Sequence, residues 1–177
     1  MGRIDCYLLD TNIISYLTRP ECAQYYNVKR HLSQVDTPER VMLPVIAIAE
    51  IEFGIAKAGS RPSDELKDVL RKFFESHPLH LGIDDDTVEP YSLVRAELWR
   101  KYGGKKKKVP EDLFEKVTGK QLGIDERDLL IASVAIQYKL VLVTADKKMK
   151  PIIDAAQELE FQGKDVHLRY TDWTLPI

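Results

Sequence analysis

The chain has few cysteines. Its 177 residues include only Cys6 and Cys22, which lack both the regular spacing of a disulfide framework and the paired spacing of a zinc site. This scarcity excludes a fold held together by disulfides and a cysteine-based zinc centre. We therefore expect both cysteines to be reduced thiols with structural roles.

Long apolar runs are also lacking. No stretch approaches the roughly 20 apolar residues that a membrane-spanning helix needs. The N-terminal MGRIDCYLLD has only a short apolar stretch and no small-residue cleavage site. We therefore expect a cytoplasmic protein that does not associate with membranes. The length and the 44% hydrophobic content are typical of one globular domain, so residues 1–177 are predicted to form a single domain.

A large net charge of either sign is absent as well. The formal net charge is -2, which gives no global sign of nucleic-acid binding. The charge is nevertheless uneven, because residues 95–121 contain nine Lys or Arg against four Asp or Glu and so carry about +5, which leaves about -7 for the remainder. The run of lysines in this segment consists of Lys105, Lys106, Lys107 and Lys108.

What the chain does contain is a regular alternation of short apolar runs and helical patterns. Strands are predicted at residues 4–9, 41–44, 79–83 and 140–144, with a weaker one at 166–170. A helix is expected directly after the first strand, and further helices are predicted at about 21–34, 45–57, 63–76, 86–102 and 126–138. This alternation predicts an α/β fold, a three-layer α/β/α sandwich with a central, mainly parallel sheet. The segment at about 103–123, with glycines at both ends and a proline inside, is predicted to be a basic insertion.

Four acidic residues occupy positions where a polar side chain is unexpected. Asp10 ends the first strand, Glu50 lies in the apolar VIAIAEIEFGI, Asp128 opens the apolar DLLIASVAI, and Asp146 follows the strand LVLVT. Each has a local explanation. Asp10, Asp128 and Asp146 can cap helices or turns, Asp128 through a capping box with Asp125, and Glu50 can lie on an exposed helix face.

Sheet topology brings some of these acids together but not all. Asp10 and Asp146 leave the carboxyl ends of parallel strands, where open α/β sheets bind their ligands. Asp128 opens the helix that leads into the last parallel strand, so it should start at the opposite edge unless the chain bends. The topology of the sheet alone therefore does not predict that the four acidic side chains lie at one site.

Three segments in order carry a family resemblance. YLLDTNIISYL, AEIEFGI and DERDLLIASVAIQYKLVLVTAD resemble the motifs of PIN domains, and more closely those of the VapC toxin ribonucleases of toxin–antitoxin pairs. The first is similar to the strand-end Asp-Thr-Asn, the second to the Glu-x-x-x-Gly helix, and the third to the Asp-x-x-Ile-Ala helix with its following strand and Thr-x-Asp. The resemblance extends from the beginning of the chain to about residue 148.

The resemblance implies one acidic pocket and assigns residues to it. Its candidate catalytic residues and metal ligands are Asp10, Glu50, Asp128 and Asp146, with Asp125 and Glu52 as weaker alternatives. Asn12 and Thr144 match supporting polar positions that orient the carboxylates, whereas Thr11 is expected to face the core or to cap a turn. The chain departs from the pattern in lacking a Ser or Thr just before Glu50 and an aromatic residue after Asp146.

Clustered carboxylates need a cation to remain ionised together. An all-oxygen ligand set without His or Cys suits Mg²⁺ or Mn²⁺, which can activate a water for attack on a phosphodiester. The resemblance thus implies a metal-dependent endoribonuclease, the toxin of a toxin–antitoxin pair, with an RNA substrate, a cognate antitoxin partner and a homodimeric state. Lys105 to Lys108 are either RNA-backbone contacts or a solvated loop.

Other functions stay open at this point. A PIN nuclease of RNA processing or decay and a non-catalytic PIN-like RNA-binding module share the motifs. A haloacid-dehalogenase-like phosphatase requires a second Asp two residues after the first, where this chain has Asn12.

Overall fold

The computed structural model describes residues 5–58, 64–103, 110, 113–115 and 120–177. Its strands are β1 (Tyr7–Leu9), β2 (Val41–Pro44), β3 (His80–Leu81), β4 (Val141–Val143) and β5 (Arg169–Thr171). Its α-helices are α1 (Thr11–Tyr16), α2 (Ala23–Ser33), α3 (Val45–Ala58), α4 (Asp64–Ser76), α5 (Val88–Tyr102), α6 (Glu126–Gln137) and α7 (Lys150–Phe161).

The strands form one sheet in the order β3-β2-β1-β4-β5. The β1–β2, β1–β4 and β2–β3 pairs are parallel, and Leu8 of β1 lies opposite Met42 of β2 and Leu142 of β4. Leu8 and Leu9 of β1 and all three residues of β4 are buried, as the short apolar sequences of these strands predict. The predicted α/β fold with a central parallel sheet is therefore confirmed.

The chain divides into two compact units. The first comprises the described parts of Met1–Gly82 together with Val141–Ala145 and Tyr170–Ile177, and it holds β1 to β4, most of β5, and α1 to α4. The second comprises the described parts of Ile83–Leu140 and Asp146–Arg169, and it holds α5, α6 and α7. The expectation that residues 1–177 form one domain stays a prediction.

In the first unit, α1 packs against α2 and α3 and buries Ile13 and Ile14 completely. The C-terminal segment is held against α2, because the ring of Trp173 stacks on that of His31 at 5.5 Å between centroids and Asn27 donates to the carbonyl of Thr174 at 2.6 Å. The first unit therefore combines a buried sheet with an ordered C-terminal tail.

In the second unit, α5 packs against both α6 and α7. Helix α6 is buried from Leu129 to Ile136 except at Leu130, as its almost continuous apolar sequence requires. No helix is predicted for α7, although Pro151 in its first turn and the spacing of Ile152, Ala156 and Leu159 are signals for one.

Several predicted boundaries shift by a few residues. The helix predicted from 86 begins at Val88, because the residues before it form a 3₁₀ turn, Asp85–Thr87, capped by Asp84. The strand predicted at 166–170 is found at Arg169–Thr171. Within the predicted insertion, Leu113 is buried and Phe114 forms an antiparallel bridge with Gln121. No helix in the described ranges is both long and apolar enough to span a membrane.

Candidate active site

Asp10 lies at the carboxyl end of β1, where the chain turns from the sheet into α1. Its backbone N–H donates to the carbonyl of Val143 at 3.0 Å, which continues the ladder between β1 and β4. Its carboxylate caps α1, since Oδ1 accepts from the N–H of Thr11 at 2.7 Å. The residue is only 4% exposed. The capping role considered for Asp10 is thus realised, at the sheet edge where ligands of α/β folds bind.

Two side chains hold the second oxygen of this carboxylate. Oδ2 of Asp10 accepts from Nδ2 of Asn12 at 2.5 Å and from Oγ1 of Thr144 at 2.7 Å. Asn12 also donates to Oγ1 of Thr144 at 3.2 Å, and its own Oδ1 accepts from the N–H of Ala145 at 3.1 Å. A buried carboxylate needs such donors in place of water. The structure therefore brings Asp10, Asn12 and Thr144 into one network.

Glu50 joins this network through Thr11. The hydroxyl of Thr11 donates to Oε2 of Glu50 at 2.5 Å, while the backbone N–H of Thr11 donates to Asp10. The sequence predicts that Thr11 faces the core or caps a turn, and it does not predict this contact with Glu50. The two residues are 39 positions apart, so no local pattern in the sequence signals the contact. One threonine thus links two of the candidate carboxylates.

Asp128 lies in the first turn of α6 and forms a reciprocal capping box with Asp125. Oδ2 of Asp128 accepts from the N–H of Asp125 at 2.9 Å, and Oδ1 of Asp125 accepts from the N–H of Asp128 at 3.1 Å. Arg127 adds side-chain hydrogen bonds to Asp125. Partial burial acts to raise the pKa of Asp125, but the hydrogen bonds from Arg127 and from the backbone outweigh it and hold that pKa below its ordinary value. The helix therefore fixes the position of Asp128.

Asp146 caps the 3₁₀ turn Lys147–Met149 that precedes α7. Its Oδ1 accepts from the N–H of Lys148 at 2.9 Å, so the local capping role considered for Asp146 is also realised. Asp146 and Asp128 belong to the second unit, whereas Asp10 and Glu50 belong to the first. Capping and metal ligation are compatible in principle, because each carboxylate has two oxygens with several lone pairs.

The carboxylates offer the oxygen donors that a hard divalent cation prefers. Among the residues that the structure describes, however, no group of three or more His, Cys, Asp or Glu side chains is arranged to hold a metal ion. The four-carboxylate metal site therefore stays a prediction. Within the first unit, Asp10 and Glu50 supply the kind of oxygen donors that such a cation binds.

Lys105, Lys106, Lys107 and Lys108 lie outside the described residues, and their role as RNA contacts stays a prediction.

A cavity of about 430 Å³ opens beside Glu50 in the first unit. Thr11 and Glu50 line its polar part, and α3 and α4 supply apolar side chains, namely Ile51, Ile55, Leu66 and Leu70. We name it the Glu50 groove. Its mixed lining suits an amphipathic ligand with an apolar body and a polar end.

Comparison with known proteins identifies the family. Residues 7–153 match the PIN domain family, whose members are nucleases that generally use divalent metal ions. No protein of curated function matches the chain significantly in sequence.

Three solved structures share the fold. VapBC2 from Rickettsia felis, bound to a DNA fragment from its promoter, is 25% identical over 93% of this chain and 98% of its own, with a TM-score of 0.59. The matching chain of VapBC-1 from nontypeable Haemophilus influenzae is 23% identical over 96% of this chain and 99% of its own length, with a TM-score of 0.62. That of FitAcB from Neisseria gonorrhoeae is 24% identical over 92% of this chain and 96% of its own length, with a TM-score of 0.58. Because the family match spans most of its length, this chain belongs to the PIN domain family, and within that family it is VapC-like.

Proposed function

We propose that this protein is a Mg²⁺- or Mn²⁺-dependent endoribonuclease and the toxin half of a toxin–antitoxin pair. The observation that carries the proposal is the carboxylate of Asp10, buried at the carboxyl ends of β1 and β4 and held there by three hydrogen-bond donors. Capping α1 would need only one oxygen of Asp10, whereas hydrogen bonds hold both of its carboxylate oxygens here. Because the chain belongs to a nuclease family, the proposed role of this fixed carboxylate is catalytic.

The proposed ligands of the cation are Asp10, Glu50, Asp128 and Asp146. The cation, when bound, supplies an activated water and neutralises the charge that develops on the phosphate during in-line displacement. Asn12 and Thr144 keep Asp10 in one orientation, because each donates to the same oxygen. Thr11 restrains Glu50 in a similar way. Such preorganisation lets a site bind its cation without rearranging its own side chains.

The partner we propose is an antitoxin that places a segment in the Glu50 groove. The solved structures that share the fold include two-protein VapBC complexes. The groove offers an apolar floor, with Arg19 and Glu50 among its polar lining residues, which suits an amphipathic helix carrying a charged end. A segment in this groove would lie against Glu50 and Thr11, and it would thereby inhibit the enzyme at its proposed metal ligand.

A homodimer is also proposed, and helix α3 supports it. The helix is strongly apolar, yet Ala47 is its only fully buried residue. Away from the Glu50 groove, Val45, Ala49, Phe53 and Ala56 follow one another at helical spacing and are all exposed. Phe53→Asp should therefore shift the protein from dimer to monomer in light scattering. A wild-type protein that is monomeric at all concentrations would contradict the dimer.

The test of the proposed function is RNA cleavage by the purified wild-type protein in Mg²⁺, in Mn²⁺ and in EDTA. We expect internal cuts in RNA with either metal and none in EDTA, and we expect Asp128→Asn to abolish them. Expression of the wild type should also arrest growth, and expression of Asp128→Asn should not. Metal-dependent cleavage without growth arrest would instead favour a PIN nuclease of RNA processing or decay. RNA binding without any cleavage would favour a non-catalytic module.

A further inference from the structure

The side chain of Lys148 lies across the backbone of Gly123, in the segment that leads into α6. Its Cε, Cδ and Cγ atoms are 3.5, 3.7 and 3.8 Å from the point where a Cβ atom of residue 123 would stand. Gly123 has a φ of +73°, in the left-handed region that favours glycine. Since Nζ is one C–N bond beyond Cε, the ammonium group of Lys148 lies within about 5 Å of the same point. The stem of this lysine is therefore packed on the backbone, although the residue as a whole is exposed.

This contact links the segments that carry two proposed metal ligands, Asp146 and Asp128. The backbone N–H of Lys148 donates to Oδ1 of Asp146 at 2.9 Å, so the lysine belongs to the turn that Asp146 caps. Gly123 stands two residues before Asp125, whose backbone N–H donates to Oδ2 of Asp128 at 2.9 Å. All of these residues belong to the second unit. The charge of Lys148 thus lies beside the segment that positions one proposed ligand and follows the other by two residues.

Lys148 has no acidic partner in the part of the chain that the structure describes. Two other cations lie at the first turn of α6, and both are paired, Arg127 with Asp125 and Arg95 with Glu126. Within the described ranges, by contrast, no hydrogen bond or ion pair engages Nζ of Lys148. Its positive charge is therefore available to an anionic ligand.

We infer that Lys148 binds a phosphate of the RNA substrate beside the proposed cation site. Ionised carboxylates repel the phosphates of a nucleic acid, and one divalent cation offsets the charge of only two of the four proposed ligands. A lysine next to these carboxylates supplies the attraction that they lack, because its ammonium group binds phosphate as a point charge. The inference rests on the proposed endoribonuclease, and it assigns one substrate contact to a residue of the second unit. A contact to phosphate gives affinity without reading the base sequence.

The salt dependence of RNA binding tests this contact. The full-length protein is titrated with a labelled single-stranded RNA in EDTA, and anisotropy is followed at a series of KCl concentrations. Lys148→Gln should weaken binding by about 10-fold at low salt, and by the same factor for two RNAs of unrelated sequence. The slope of log K against log salt should become shallower by about 0.7, the change for one lost phosphate contact on a single strand. Lys148→Arg keeps the charge and should keep the slope.

The matched control is Lys147→Gln. Lys147 is the preceding residue of the same 3₁₀ turn and is also exposed, whereas the side chain nearest to Gly123 is that of Lys148. The two Gln variants lose the same net charge, so a difference between them reports the position of the charge. Lys147→Gln should bind RNA with an affinity and a salt slope close to those of the wild type. Equal losses in the two variants would overturn the inference, because they would indicate a general effect of surface charge.

Cleavage in Mn²⁺ separates this inference from the proposed function. A phosphate contact made in both the bound substrate and the transition state should raise KM in Lys148→Gln and leave kcat almost unchanged. Cleavage by the wild type with unaltered affinity, salt slope and KM in Lys148→Gln would reject the lysine contact and keep the endoribonuclease. Weaker binding and a shallower slope in that variant, without cleavage by the wild type, would do the reverse. A wild-type protein that binds no RNA in EDTA or in Mn²⁺ would overturn both.

Discussion

The hydroxyl of Thr144 donates to the carboxylate of Asp10 at 2.7 Å, although 134 positions separate the two residues in the chain. The register of the sheet causes this contact. Leu9 of β1 lies opposite Val143 of β4, so the next residue of each parallel strand, Asp10 and Thr144, leaves the sheet at the same place. A strand pair thus builds the centre of the candidate site.

Removing this hydroxyl tests whether it positions the carboxylate for catalysis. Thr144→Val keeps the shape of the side chain but removes the donor, so Asp10 should lose one restraint. We expect metal-dependent RNA cleavage to fall by about 10-fold or more. Thr144→Ser restores the hydroxyl and should restore most of the rate. A Thr144→Val protein as active as the wild type would show that the contact is only structural.

Stability provides a second test at the same site. From the sequence alone, Asp10→Asn is expected to leave the fold intact or to stabilise it, because repulsion between carboxylates is relieved. The hydrogen bonds of Asp10 predict the opposite effect. Both of its carboxylate oxygens accept hydrogen bonds, whereas the side chain of Asn has only one oxygen, so its NH₂ group would face a donor. We expect Asp10→Asn to lower the free energy of unfolding by about 1–3 kcal/mol in urea titrations. A more stable variant would mean that carboxylate repulsion dominates.

The sequence predicts the centre of the site because strand ends are marked locally. A short apolar run that stops at a polar residue identifies β1 with Asp10, and it identifies β4 with Thr144 in the same way. The spacing of Asp125 and Asp128 likewise predicts the capping box that is found. These features depend on residues within a few positions of one another, so one sequence is enough to predict them.

Other features depend on contacts that are distant in the chain. The bond from Thr11 to Glu50 requires α1 and α3 to be neighbours, which no pattern in either helix specifies. Helix α7 is the exception, because its signals, Pro151 and the apolar spacing after it, are local, although only a cap or turn at Asp146 is predicted there. The approach of the four acids to one another depends on tertiary structure in the same way, so it stays a prediction.

The capping box of α6 should make stability depend on pH. The pKa of Asp125 is lower in the folded protein than in the unfolded chain, so its stabilising effect is complete above about pH 4 and is lost as the pH falls through the lower, folded pKa. Asp125→Asn keeps a capping side chain but cannot titrate. The free energy of unfolding of this variant should therefore decrease less steeply with acid than that of the wild type.

Arg127→Met tests the cause of this pH dependence. It leaves the carboxyl group of Asp125 in place but removes the guanidinium that pairs with it. The acid limb of its stability curve, measured by urea unfolding at a series of pH values, should lie between those of the wild type and Asp125→Asn. Identical slopes in all three proteins would show that Asp125 is not a source of acid sensitivity.

Substitution in the Glu50 groove should weaken binding of the proposed antitoxin. Ile55→Glu places a charge on its apolar floor. We expect the affinity of the proposed antitoxin to fall at least 10-fold in calorimetry, since the loss of a hot-spot residue weakens binding by this much. Phe161→Glu changes an exposed aromatic residue outside the groove and should bind normally. Equal affinity of Ile55→Glu and the wild type would place the antitoxin elsewhere.

The most direct test of the central claim is the rate of RNA cleavage in Mn²⁺ by Asp10→Asn, compared with wild type and with Asp165→Asn, in which an exposed carboxylate of the second unit is changed. The account predicts cleavage by the wild type and by Asp165→Asn, and a loss of at least 10³-fold in Asp10→Asn, of the size that follows removal of a catalytic group. The folded state of each protein is checked by circular dichroism. A folded Asp10→Asn protein that cuts RNA at the wild-type rate would contradict the account.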